Sequence, residues 1–417
     1  MSRLRARILV ACASLWLAAG IPAGAVAAPG NALAAPADRN CAEPGEQIAR
    51  IPWSQQMLAP ERVWPFTRGG GMVVAVLDSG VDASHPQLGG EVSAGFDALA
   101  GRGRADTDCR GTGTQVAGVI AAWQTRSVGF VGLAPNVVIL PVRVIADQGS
   151  GEPQAQATTL ARGIRFALDS KADVIAVPVV SYTDDAALRA AVADAVRAEV
   201  VVVAAAGDLG DAEGGGPTPY PAAYDGVIGV GAIGQTGAHW PKSQAGPYVD
   251  LVAPGADVVT LQRGRGMTVA SGTGIACGFV AATAALTRAN RGRLAGDEVA
   301  RLLRATAVPA PAGPVYGHGI VNPYAAVNDQ LAEQAPAPLP ALSPPTQGQP
   351  SAWLRSRDVA MAGAGLAGLA TVVVLAVAIV LPRGRRGWWR AAVAPSPASR
   401  AEPEEPGPPV TLFDEPA

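Results

Sequence analysis

Residues 73–88 read VVAVLDSGVDASHPQL. Five apolar residues, three of them valine, run into Asp78 and the turn residues Ser79 and Gly80. A short β-branched run closed by turn residues predicts a buried strand ending at the acid. In open α/β sheets, functional groups collect at the carboxyl ends of strands. Asp78 is therefore a candidate site residue. Its plain alternative is an aspartate that caps its own turn.

Working outward, the same kind of run recurs at 137–145 (VVILPVRVI), 174–180 (VIAVPVV), 200–205 (VVVVAA) and 227–230 (VIGV). Between them, Leu160, Ile164, Ala167 and Leu168 share one helix face, as do Leu188, Ala191, Val192, Ala195 and Val196. This βαβ alternation predicts an α/β fold, a mostly parallel sheet with helices on both faces, over 63–330.

The flanks differ from this domain in composition. Residues 1–27 carry Arg3, Arg5 and Arg7, then an apolar stretch, then Ala25-Val26-Ala27, the pattern of a cleaved secretory leader. Residues 28–62 form an extension that begins rich in Ala and Pro. Residues 331–358 form a proline-rich spacer (APAPLPALSPP at 335–345). Residues 359–381 contain no charge, long enough for one transmembrane helix. Arg383, Arg385, Arg386 and Arg390, with Trp388 and Trp389, follow and predict a cytoplasmic C-terminal side. The tail, 382–417, has little to bury and is expected to be disordered.

A formal net charge of −2 gives no basis for binding nucleic acid. Cys12 leaves with the leader. Cys41 and Cys109 fall in the exported part, where oxidation is expected, and are paired as a disulfide. Cys277 reads as a buried free thiol. No cysteine spacing, ligand cluster or phosphate loop supports a metal or cofactor.

Two further stretches, DCRGTGTQVAGVIAA at 108–122 and ASGTGIACGFVAATAAL at 270–286, complete a pattern with residues 73–88. In that order they resemble the Asp, His and Ser segments of the subtilisin family. The resemblance covers about 265 residues and extends to the runs at 220–233, 248–260 and 316–327. The family pattern places its histidine at Thr112 and its serine at Gly274. At the end of 201–208 (VVVAAAGD), where the family has an oxyanion-binding asparagine, stands Asp208. At 173–181 (DVIAVPVVS), the family's substrate-binding edge, the corresponding positions hold Ala176, Pro178 and Val180.

These substitutions remove the chemistry the resemblance implies. A threonine hydroxyl has no basic form near pH 7, and glycine cannot form an acyl-enzyme. A carboxylate repels an oxyanion that an amide would stabilise, a donor worth roughly a hundred- to a thousand-fold in rate. In subtilisin, loss of the serine or the histidine alone costs about a million-fold. Pro178 offers no N–H to an added strand, and Val180 is bulkier than the family's glycine. The three histidines, His85, His239 and His318, lack the local context of the missing base. Ser271 and Thr273 read as caps of a helix over 275–286.

Several features are similar to the mycosins, the membrane-anchored subtilisin-like proteases of actinobacterial type VII secretion. They are the leader, the Cys-bearing extension, Cys109 before G-x-G-T, Gln115, the proline-rich spacer, the single span and the short tail. The resemblance implies a domain facing out of the cell, anchored by one span, beside other membrane proteins of a secretion complex. A non-catalytic scaffold is the expectation. An atypical active endopeptidase and a non-cleaving peptide-binding module are the alternatives.

Overall fold

The computed structural model describes residues 41–146, 154–329 and 351–384. The expected leader, residues 28–40 of the extension, residue 330, residues 331–350 of the spacer and the tail from 385 onward lie outside the described residues. The chain divides into two units, Met1–Glu333 and Gln334–Ala417, taken in turn below.

The first unit is built on a seven-stranded sheet. Its strands are β1 (Val73–Asp78), β2 (Phe96–Asp97), β3 (Val138–Arg143), β4 (Val174–Val177), β5 (Val201–Ala205), β6 (Val227–Ile233) and β7 (Leu251–Pro254). They lie in the order β2-β3-β1-β4-β5-β6-β7, every pair parallel. A separate antiparallel hairpin joins β8 (Val258–Leu261) and β9 (Met267–Ala270). The helices of this unit are α1 (Trp53–Leu58), α2 (Thr112–Ala121), α3 (Ala157–Asp169), α4 (Ala186–Arg197), α5 (Thr273–Arg291), α6 (Gly296–Ala305) and α7 (Pro323–Asn328).

Strand periodicity divides the core into two layers. Val74 and Val76 of β1 pack on one face with Val116 and Ile120 of α2 and Phe279 and Val280 of α5. Ala75 and Leu77 pack on the other face with Leu160 and Ile164 of α3 and Leu188 and Val192 of α4. Burial on both sides explains why these strands read as continuous apolar runs and not as alternating ones. The chain passes from β1 to the β2–β3 side and returns to β4 on β1's other side. The end of β1 is thus a switch point of the sheet, and Asp78 stands on it.

The structure departs from the sequence expectations at several boundaries. The strand expected over 174–180 stops at Val177, because Pro178 cannot donate to a ladder. The helix expected over 275–286 runs from Thr273 to Arg291. Strands β2, β7, β8 and β9, each two to four residues long, carry too little pattern to be read from sequence.

The N-terminal extension packs on this unit. Glu46 and Met267 exchange backbone hydrogen bonds of 3.0 and 2.7 Å beside β9. Cys41 and Cys109 form a disulfide spanning 68 residues of sequence.

The second unit contains α8 (Ser351–Gly384). This helix takes in residues 351–358, assigned to the spacer from sequence. SAWLRSRD contains no proline or glycine, so nothing in it interrupts a helix. The stretch Trp353–Ile379 is long and apolar enough to cross a membrane, and its side chains are exposed.

Candidate active site

Asp78 ends β1 and is only 2% exposed. Gly111 adopts φ 92°, a backbone suited to glycine, and turns the chain into α2 so that Thr112 is its first residue. The Thr112 hydroxyl donates to Asp78 Oδ1 at 2.5 Å, and the Ser79 N–H donates to the same oxygen at 2.7 Å. Thr112 therefore occupies the partner position beside the acid, as a neutral donor with no basic nitrogen.

A second carboxylate supports this arrangement from behind. Asp108 accepts from the Gly111 N–H at 2.7 Å, the Thr114 N–H at 2.8 Å and the Thr114 hydroxyl at 2.7 Å. It caps the start of α2, where free N–H groups and the helix dipole favour an anion. The Ser79 hydroxyl links the two acids, 2.8 Å from Asp108 Oδ1 and 2.9 Å from Thr112 Oγ1. Burial raises the Asp78 carboxyl from its ordinary 3.8 to about 6. The Thr112 hydrogen bond opposes that rise, and the nearby Asp108 charge adds to it. Burial likewise raises Asp108. Neither Asp108 nor Ser79 was singled out from sequence. The only local signal was an acid three residues ahead of the glycine-rich helix start.

Gly274 is the second residue of α5. A Cβ built on it would stand 2.6 Å from the Pro178 carbonyl oxygen and 3.1 Å from the Pro178 Cβ. A side chain at this position would therefore force the chain leaving β4 to shift.

Asp208 follows β5 and Gly207, which adopts φ 92°. Its Oδ1 accepts from the Thr273 N–H at 2.8 Å and the Thr273 hydroxyl at 2.6 Å. Asp208 therefore caps α5 from a distant part of the chain. Burial raises its carboxyl, against the Thr273 hydrogen bonds. Ser271 and Thr273 do not cap α5 as expected. Ser271 Oγ accepts from the Asp257 N–H at 2.8 Å, and Thr273 already lies inside the first turn.

Asp78, Thr112, Pro178, Asp208 and Gly274 line one pocket of about 250 Å³. The other two residues expected along the substrate edge do not reach it. Ala176 lies inside β4 between β1 and β5, fully buried. Val180 is buried in the core, and its carbonyl accepts from the Ala155 N–H at 2.9 Å. None of the three histidines lines the pocket. His85 is buried elsewhere, with Nδ1 accepting from the Gln87 N–H and Nε2 3.2 Å from the Gly266 carbonyl. Burial lowers its pKa. Cys277 is buried and free, with its thiol raised by burial. Among the described residues no group of three or more metal-ligating side chains occurs.

Comparison with known proteins identifies the family. The subtilase family profile matches residues 69–337. Mycosin-4 of Mycobacterium tuberculosis (strain ATCC 25618 / H37Rv) is 35% identical over 384 residues, covering 81% of this chain and 84% of mycosin-4. An intracellular serine protease of Paenibacillus polymyxa is 37% identical over 247 residues, 58% of this chain and 74% of that protein. The crystal structure of MycP1 from Mycobacterium smegmatis aligns with a TM-score of 0.63 at 26% identity, over 73% of this chain and 93% of MycP1. The MycP3 protease from the type VII (ESX-3) secretion system aligns with a TM-score of 0.61 at 29% identity, over 70% of this chain and 93% of MycP3. The chain belongs to the subtilase family and is a homologue of the mycosins.

Proposed function

We propose that this protein is a catalytically silent subtilase that serves as a membrane-anchored structural component of a type VII secretion system. The observation that carries the silent reading is Gly274. It has no side chain, and a Cβ there would stand 2.6 Å from the Pro178 carbonyl oxygen. Thr112 supplies a hydroxyl where a base is required, and Asp208 supplies a carboxylate where an oxyanion needs a donor. Losses of this kind are not additive, and the absence of the serine or of the histidine alone leaves negligible turnover.

The structural role is supported by homology and by α8. A relative aligned at a TM-score of 0.61 and 29% identity is MycP1, a serine protease described as an essential component of the type VII (ESX-1) secretion system. A role as a membrane component needs the domain surface and the anchor but no triad. In this reading residues 1–27 are removed on export and the domain over 63–330 lies outside the membrane. α8 then spans the membrane, and the arginines after it hold the tail in the cytoplasm. The partners are other membrane proteins of the secretion complex.

The silent reading is tested with purified full-length protein, a fluorophosphonate probe and a mixed peptide library. No covalent labelling and no cleavage are expected. Stoichiometric labelling of any residue of the pocket, or specific cleavage abolished by Asp78→Asn, would overturn it.

A further inference from the structure

The end of β1 is joined to the start of α2 by side-chain oxygens in an unbroken row. Thr112 Oγ1 lies 2.5 Å from Asp78 Oδ1, Ser79 Oγ lies 2.9 Å from Thr112 Oγ1, and Asp108 Oδ1 lies 2.8 Å from Ser79 Oγ. Each contact is at hydrogen-bond distance and needs one hydrogen. With both acids ionised the row holds only the hydrogens of the two hydroxyls. Thr112 then gives its hydrogen to Asp78, and Ser79 gives its hydrogen to Asp108. That leaves lone pair facing lone pair between Ser79 and Thr112. At 2.9 Å no water fits between them, and Asp78, Ser79 and Asp108 are 2%, 0% and 3% exposed.

The missing hydrogen has to come from an acid, and Asp108 has no place for it. Its oxygens already accept from the Gly111 N–H, the Thr114 N–H, the Thr114 hydroxyl and the Ser79 hydroxyl. These fill the roughly four lone-pair positions that a carboxylate offers. Asp78, apart from its contact with Thr112, accepts only from the Ser79 N–H. A proton on Asp78 Oδ1 completes the row. Thr112 then accepts from Asp78 and donates to Ser79. Ser79 accepts from Thr112 and from the Gly113 N–H at 3.1 Å, and donates to Asp108. Every hydroxyl is then satisfied, as buried polar groups require.

We propose that the seam between β1 and α2 is a proton-operated latch. It is closed when Asp78 donates to Thr112, Thr112 to Ser79 and Ser79 to Asp108. It opens when Asp78 releases its proton to water through the pocket it lines, which reverses Thr112 and breaks the link between the two hydroxyls. The latch goes beyond the scaffold role and does not depend on it.

The groups around Asp78 set the pH at which it acts. Burial moves its carboxyl from 3.8 to about 6, and the like charge of Asp108 adds to the rise. The latch is therefore closed below about pH 6 and opens as the pH rises through it. The Cys277 thiol of α5 and the carboxyl of Asp208, which lines the same pocket, are the other acids nearby. Arg143 of β3, in register with Asp78, donates to the Ser79 carbonyl, to Asp97 and to Thr107. No lysine, arginine or histidine lines the pocket. Burial raises Asp108 as well, but its donors hold it ionised while Asp78 titrates.

The test is infrared spectroscopy of the full-length protein in detergent, titrated from pH 4 to pH 8. The carboxylic-acid C=O band of Asp78 is read as wild type minus Asp78→Asn. Expected is one acid band that disappears as the pH passes about 6. Thr112→Val removes the acceptor of the acid's hydrogen, so the band should move to higher frequency. Ser79→Ala removes the lone pair that faces Thr112 in the open form. Ionised Asp78 is then favoured, and the midpoint should fall by roughly one pH unit. If Ser79 were only a nearby donor that favours the ionised acid, its loss would raise the midpoint instead. The wild-type and Thr112→Val readings decide the matter alone should Ser79→Ala fail to fold. No acid band, a band unmoved in Thr112→Val, or a midpoint unchanged or raised in Ser79→Ala would overturn the proposal.

Discussion

Gly274 and Pro178 are in contact across the heart of the pocket, close enough that one added carbon at 274 would stand 2.6 Å from the Pro178 carbonyl oxygen. The neighbour is backbone and cannot rotate away as a flexible side chain would. Replacing Gly274 with serine is therefore expected to cost about 1–3 kcal/mol of stability by overpacking. It should also leave the protein inert, because Thr112 still supplies no base. Thermal denaturation and fluorophosphonate labelling of Gly274→Ser check both. A stable variant that labels would mean that the β4 end yields easily and that the contact is incidental.

Asp78 carries a raised pKa in the folded state, about 6 against 3.8, with burial as the main cause. The folded protein prefers the protonated form, so the stabilising contribution is full below pH 3.8 and is lost as the pH rises through about 6. Above that, holding the charge costs on the order of 3 kcal/mol. Asp78→Asn keeps an acceptor for Thr112 and removes the charge. It should stabilise the protein at pH 8, with the gain shrinking toward zero near pH 4. Urea denaturation at the two pH values reads this directly.

Asp208 caps α5 through Thr273. Asp208→Ala should lower stability by about 1 kcal/mol, whereas Asp208→Asn, which can still accept, should cost no more than a few tenths. Equal losses in both variants would show that the charge, and not the cap, is what matters.

The Cys41–Cys109 disulfide closes a loop of 68 residues beside Asp108 and the start of α2. Cys41→Ser should lower stability by about 2–4 kcal/mol. It should also speed proteolysis of the extension around Glu46, whose backbone pairing with Met267 depends on being held nearby. Chemical denaturation and limited proteolysis of the purified variant measure the two effects.

Residues 73–78 could be read as a strand because three valines bounded by a turn leave few other options, and the two-layer core follows from that period. The pocket's membership was legible through the order of three motifs, which the fold gathers at the end of β1 and the starts of α2 and α5. Its detail was not. The approach of Pro178 to Gly274 depends on how β4 ends relative to α5, and nothing local in either stretch encodes it. The resemblance places Ala176 and Val180 on a substrate edge, yet Ala176 is buried within β4 and Val180, beyond the strand's end, is buried too. Asp108 and Asp208 act as caps on helices whose first residues lie several or many positions later. Such partners become visible only once the helices are in place.

The central claim is that the protein works as a component of a membrane assembly and not as a protease. Its most direct test is affinity purification of the tagged full-length protein from membranes in mild detergent, wild type beside Asp78→Asn, read by native gel and mass spectrometry. Both forms should co-migrate with type VII secretion components in one large complex, in equal yield. A lone monomer in both, or a complex that Asp78→Asn abolishes while the protein stays folded, would contradict it.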